Sequence, residues 1–202
     1  MTPKTARETI LRLARTRGLI SAREVANLGI HTQLLTRLVE EKLLERVARG
    51  HYRLPGHPVT ENHGLVIAAM AVPSGVICLL SALRFHGLGT QLPSEVWLAV
   101  DRRARRPTLR FPPLRVVRFT GPALTQGIES HRVEGRPVRV YGVAKTLADC
   151  FKYRHKIGLD VALEALREGW RERRFEMEEI HAFARICKVE NTMRPYLEAL
   201  VG

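Results

Sequence analysis

Residues Thr32 to Leu54 constrain the fold more than any other stretch: a two-sided helix is followed at once by a short basic hairpin. At 3.6 residues per turn, Leu34, Leu35, Leu38 and Val39 fall within an arc of roughly 140°. Thr32, Gln33, Thr36, Arg37 and Glu40 occupy the opposite arc. The spacing predicts a helix over Thr32–Glu41 with one face for a core and one for water. The next residues, Leu44 to Leu54, read as two short strands turning at Arg49-Gly50. The period of two puts Tyr52 and Leu54 on one side of the second strand and His51 and Arg53 on the other. A helix followed by a basic hairpin is the layout of a winged helix-turn-helix.

The upstream chain supplies the rest of that motif. Ile10, Leu11, Leu13 and Ala14 lie among Arg7, Arg12, Arg15 and Arg17, a first helix that Gly18 closes. Ser21 and Glu24 have the spacing of a capping box, which opens a short second helix ending at Gly29. Thr32 then stands where a cap for the third helix belongs. The side chains of Thr32, Gln33, Thr36 and Arg37 carry the groups that read base edges in a major groove, with Arg37 suited to bidentate contact with guanine. Arg46, Arg49, His51 and Arg53 crowd the hairpin, where phosphates or a minor groove would lie. These eight residues are the candidate DNA contacts. A winged helix that binds protein has the same outline, and charge tilts the balance. Residues 1–56 hold eleven Lys/Arg against five Asp/Glu, 11 − 5 = +6, and the 202-residue chain carries +13. A chain this basic is drawn to polyanions.

Pro55-Gly56-His57-Pro58 is a breaker cluster and marks the expected boundary between a first domain, 1–56, and a second, 57–202. An apolar helix is expected over Asn62–Val72 and another apolar segment over Val76–Phe85. Strands follow at Glu95–Val100 and Leu114–Phe119, and a Gly turn joins two more around Val133–Tyr141. Helix signals fill the remainder. The expected fold class is α+β: an N-terminal winged helix-turn-helix, then a mixed α/β domain with a small sheet (about 95–141) and a helical C-terminal part (about 144–201). Arg102, Arg103, Arg105, Arg106 and Arg110 lie between the first two of these strands. They suit a solvated loop, a second phosphate-binding patch or a surface for an acidic partner, and the sequence leaves all three open. Ala144, Leu147, Ala148 and Phe151 repeat as a core stripe, with Lys145, Asp149, Lys152 and Lys156 opposite. Asp149 is expected in a helix-surface ion pair with Lys145 or Lys152 rather than as a catalytic acid. Gly158 and Asp160 are expected to end one helix and cap the next.

Motifs for chemistry are missing from this pattern. There is no P-loop, GxGxxG, GxSxG or paired-histidine motif, so neither a metal site nor a cofactor is expected, nor an enzyme. The alternatives are a metal-dependent nuclease using Glu95 and Asp101, which flank one strand, and a basic protein-interaction module acting through Arg102–Arg110. Cys78, Cys150 and Cys187 are widely separated among apolar neighbours, as buried thiols in a reducing cytoplasm would be. No run of eighteen apolar residues exists and no signal peptide is visible, so a cytoplasmic protein without a membrane span is expected.

Four segments taken together resemble a known family. They are Gly50-His51-Tyr52-Arg53-Leu54 at the hairpin, Leu80-Ser81-Ala82-Leu83-Arg84-Phe85-His86-Gly87-Leu88, Ala144 to Arg154, and Gly158 to Leu166. Their order and spacing are similar to those of the AbiEi antitoxins of type IV toxin–antitoxin and abortive-infection systems. The resemblance implies a repressor of its own operon that binds double-stranded DNA at inverted repeats, with two copies on the operator. It also implies a C-terminal antitoxin domain that counteracts a nucleotidyltransferase-like toxin without necessarily binding it stably. The DNA-contacting elements carry over to the Thr32–Glu41 helix and the Arg49–Arg53 hairpin; no toxin-neutralising residue carries over.

Overall fold

The computed structural model describes residues 3–56, 60–109 and 111–201, with the side chains of Pro3, Lys4 and Val201 excepted. Arg110 and His57 of the sequence reading therefore lie outside the described residues. The fold is α+β, and the chain divides into two compact units. The first comprises residues 1–73 with 108–112 and 132–137, and the second comprises 74–107, 113–131 and 138–202.

In the first unit, helix α1 (Pro3–Arg17) is followed by strand β1 (Leu19–Ser21), α2 (Ala22–Asn27), α3 (Gln33–Glu40), β2 (Glu45–Ala48) and β3 (His51–Arg53). The strands form an antiparallel sheet in the order β1-β3-β2. Ala6, Ile10 and Ala14 recur every four residues along α1 and meet Ile20, Val25, Leu35, Leu38, Leu44 and Tyr52 in one core. Gly50 makes the hairpin turn at φ +73, a conformation that side-chain-bearing residues resist. Helix α4 (His63–Ala71), which follows the breaker cluster in sequence, belongs to this unit and packs against β2.

The second unit is built on a five-stranded mixed sheet in the order β6-β5-β4-β8-β7. The sheet's strands are β4 (Val76–Ile77), β5 (Val96–Asp101), β6 (Leu114–Phe119), β7 (Ile128–Val133) and β8 (Arg136–Tyr141), residues 132–137 of the last two being counted with the first unit. β4 runs antiparallel to β5 and parallel to β8, and β5 runs parallel to β6. Val96 to Val100 are all buried, which explains why that strand reads as an unbroken apolar run. The helices are α5 (Leu79–His86), α6 (Pro122–Thr125), α7 (Val143–Lys152), α8 (Arg154–Ile157), α9 (Leu159–Arg171), α10 (Met177–Ile186) and α11 (Glu190–Val201). α7 is the hub, since α5, α8, α9, α10 and α11 all pack against it.

Four expectations need correction. β1 and β4 went unread because runs of three and two residues carry no usable alternation. Thr32 makes no capping bond; the first amide of α3, Gln33 N, instead donates to His31 Nδ1 at 3.3 Å. Asp160 does not cap α9; it sits in the first turn, behind Gly158 at the cap position. Asp149 and Lys145 do pair, but not on a helix surface. Both side chains are wholly buried, because α7 has neighbours on every side and all of Val143–Phe151 is inaccessible.

Candidate nucleic-acid interface

Helix α3 sorts its side chains as its sequence spacing demands. Leu35 and Leu38 are fully buried, and Leu34 and Val39 are partly so. Thr32, Gln33, Thr36, Arg37 and Glu40 are all exposed. The polar face is therefore open to solvent along the whole helix. Beside it lies a concavity of about 320 Å³ whose lining includes Gly29, His31, Gln33, Leu34 and Arg37. His31 is a residue that sequence reasoning missed: it sits in the turn before the helix and shares this surface with two of the candidate base readers. Its position two residues ahead of the first helical amide was the available signal.

The hairpin is held at its base and its tip. Ala22 N donates to Gly50 O at 2.7 Å, so the turn is fastened to the start of α2. The register shifts between Arg46 and Ala48, a bulge that leaves Val47 as the extra residue of β2. Arg49 and Arg46 are exposed, and Arg46 Nε donates to Ala48 O at 3.3 Å, which lays the side chain along the strand. The other two hairpin candidates are engaged elsewhere. Arg53 is ion-paired to Glu45 across the strands, and its Nη1 stands 3.3 Å from His63 Nε2. His51 packs with Nδ1 3.0 Å from Arg49 O, and burial lowers its pKa below the ordinary imidazole range. At neutral pH, then, Arg46 and Arg49 carry the hairpin's free positive charge, and His51 adds none.

The scaffold behind these groups is fixed by Glu24. Its Oε2 accepts from Ser21 N at 2.8 Å and from Ser21 Oγ at 2.9 Å, while Glu24 N donates to Ser21 Oγ at 3.2 Å, so the capping box forms as expected. Arg136 Nη1 donates to Glu24 Oε1 at 2.6 Å and Nη2 to Oε2 at 3.1 Å; Nη2 also donates to Leu19 O. Arg17 pairs with the same carboxylate at 2.9 Å. Burial opposes ionisation of Glu24, but the Arg136 and Ser21 hydrogen bonds outweigh it and bring the pKa down to about 2.

The second basic run is a pinned turn. Arg102, Arg103, Arg105 and Arg106 are exposed, and Arg118 Nη1 donates to the carbonyls of Asp101, Arg102 and Ala104 at 3.1, 2.8 and 2.9 Å. The two carboxylates of the nuclease alternative are tied to this basic region. Glu95 pairs with Arg115 at 2.8 Å, and Asp101 Oδ1 accepts from Arg103 N at 2.7 Å. Among the described residues no three His, Cys, Asp or Glu groups stand together as a metal site would need, and no helix is long and apolar enough to cross a membrane. Cys78, Cys150 and Cys187 are free thiols, all buried.

No curated protein matches the chain. The solved structures it resembles include the crystal structure of the RV2827C protein from Mycobacterium tuberculosis. That match has a TM-score of 0.62 at 14% identity and covers 97% of this chain and 80% of that one, a likeness of fold. Residues 8–55 match the family described as transcriptional regulator, AbiEi antitoxin. That segment runs from the second turn of α1 to the end of the hairpin. Over those residues, which hold the helix-turn-helix and the hairpin, the chain is similar to the AbiEi antitoxin transcriptional regulators, the family that the sequence motifs resemble.

Proposed function

We propose that the chain is a cytoplasmic DNA-binding antitoxin that represses its own operon and counteracts a nucleotidyltransferase-like toxin. The observation that carries the DNA half of this reading is the exposed polar face of α3, with Thr32, Gln33, Thr36 and Arg37 open to solvent, in a unit that also carries a fastened basic turn. In this reading residues 1–56 are the DNA-binding domain. α3 enters a major groove, Arg37 takes a guanine edge, and Arg46 and Arg49 hold phosphates. His51 and Arg53 shape the wing. The operator carries inverted repeats and binds two copies, which follows the two-fold logic of helix-turn-helix regulators. Residues 57–202 supply the antitoxin activity, which need not pass through a stable complex with the toxin.

A reporter driven by the DNA upstream of the chain's own gene tests both halves. The wild type represses it and restores growth when the adjacent toxin gene is expressed. The Arg37→Ala/Arg49→Ala double variant loses repression while still restoring growth. A reporter indifferent to the wild-type chain contradicts the repressor reading, and growth that the chain fails to restore contradicts the antitoxin reading.

A further inference from the structure

The second unit contains a groove of about 350 Å³ that the DNA-reading elements do not use. Arg106, Arg115, Arg118 and Lys156 line it, with the rings of Trp97 and Tyr153. We propose that this groove binds a small phosphorylated ligand of nucleotide size.

Three observations carry the assignment. The first is charge. Four cations converge on the groove, and Glu95, paired with Arg115, is the one carboxylate among their described salt-bridge partners. Arg106, Arg118 and Lys156 have no carboxylate partner among the described residues. The second is preorganisation. Arg115 stacks over Trp97 at 5.2 Å, and Lys156 lies over Tyr153 at 5.5 Å. Arg118 is clamped by three carbonyls of the turn leading to Arg106. Cations held in place by rings and backbone lose little freedom on meeting an anion. The third is size. The volume falls in the range of small-molecule pockets, about 300–1,000 Å³. The Arg106 guanidinium, whose planar fork matches phosphate oxygens in pairs, favours phosphate over a lone carboxylate, and Arg115, Arg118 and Lys156 add positive charge around it.

Calorimetric titration of the full chain with pyrophosphate, a nucleoside triphosphate and the unphosphorylated nucleoside tests this. Saturable binding of the two phosphorylated probes and none of the nucleoside is expected. Arg106→Ala/Lys156→Ala should weaken binding by about tenfold or more per lost contact. Lys152→Ala, an exposed lysine of α7 outside the groove, should leave it unchanged. Absence of saturable binding, or equal binding by wild type and double variant, overturns the proposal. Displacement of pyrophosphate by unrelated duplex DNA would assign the groove to a polynucleotide backbone, and displacement by polyglutamate to an acidic protein; either overturns the small-ligand assignment. The double variant leaves α3 and the hairpin intact, so its titration with the upstream DNA judges the DNA reading separately.

Discussion

Lys145 donates to the carboxylate of Asp149 one turn further along α7, and neither side chain is exposed to solvent. The pair is enclosed. The ammonium lies 4.1 Å from the Tyr141 ring centre and 4.8 Å from that of Phe119, and Cys187 Sγ donates to the other carboxylate oxygen at 3.2 Å. Burial pushes the Asp149 carboxyl above its usual range, against the pull of Lys145, and carries the Cys187 thiol up to about 12. Gly127 packs directly on Lys145: at φ +72, a Cβ there would lie 2.7 Å from Lys145 Cβ and 2.8 Å from the Phe183 ring.

Breaking this pair from one side strands a buried charge. Lys145→Met or Asp149→Leu alone should cost about 3–5 kcal/mol, and the double variant should recover most of that loss. Urea denaturation of the three variants checks it. Additive losses in the double variant would show that the two charges are not coupled.

Glu24 predicts an acid-sensitive fold. Its pKa is lowered from 4.5 to about 2 in the folded chain, so its contribution is complete above about pH 4.5 and fades as pH falls toward 2. Glu24→Gln should therefore lower stability at pH 6 and flatten the decline between pH 5 and 2. Thermal melts across that interval measure both. A variant whose melting temperature falls as steeply as the wild type's contradicts the assignment.

His51 predicts what pH will not do. Burial lowers its pKa, so the imidazole is neutral from pH 8 down to the ordinary histidine range and charges only below it. His51→Gln should leave the pH dependence of DNA affinity unchanged between pH 8 and 6.5. Fluorescence anisotropy on a fixed duplex reads this, and a proton-linked gain confined to the wild type would place a charged His51 at the DNA.

Arg53 and Arg49 are separated by their partners. Arg53 is ion-paired to Glu45, whereas Arg49 is exposed at the turn. Arg49→Ala should weaken binding to every duplex and reduce the salt slope by about one. Arg53→Ala should alter that slope less and reduce melting temperature more. The reverse ranking would mean that the Glu45 pair opens on DNA.

Periodicity made the first unit legible. Leu35 and Leu38 against Thr36 and Arg37 named both the buried and the open face of α3, and Arg49-Gly50 named the turn. What escaped was set by long-range contact. Arg136 reaches Glu24 across 112 positions of sequence, and nothing local to either residue announces it. The same holds for Lys145 and Asp149 of α7, which read as a solvent face and are met by Phe119 and Cys187, both distant in sequence. The Arg102–Arg106 run looks like a free loop until Arg118, on the neighbouring strand, is seen to pin it.

The most direct measurement is a pair of anisotropy titrations at two salt concentrations, with the duplex upstream of the chain's own gene and a scrambled duplex of equal length. The wild type is expected to prefer the upstream duplex at both concentrations. Arg37→Ala should lose about 1–3 kcal/mol of that discrimination and keep its affinity for the scrambled duplex. Equal affinity of the wild type for both duplexes, or discrimination that survives Arg37→Ala intact, would contradict a base-reading role for the open face of α3.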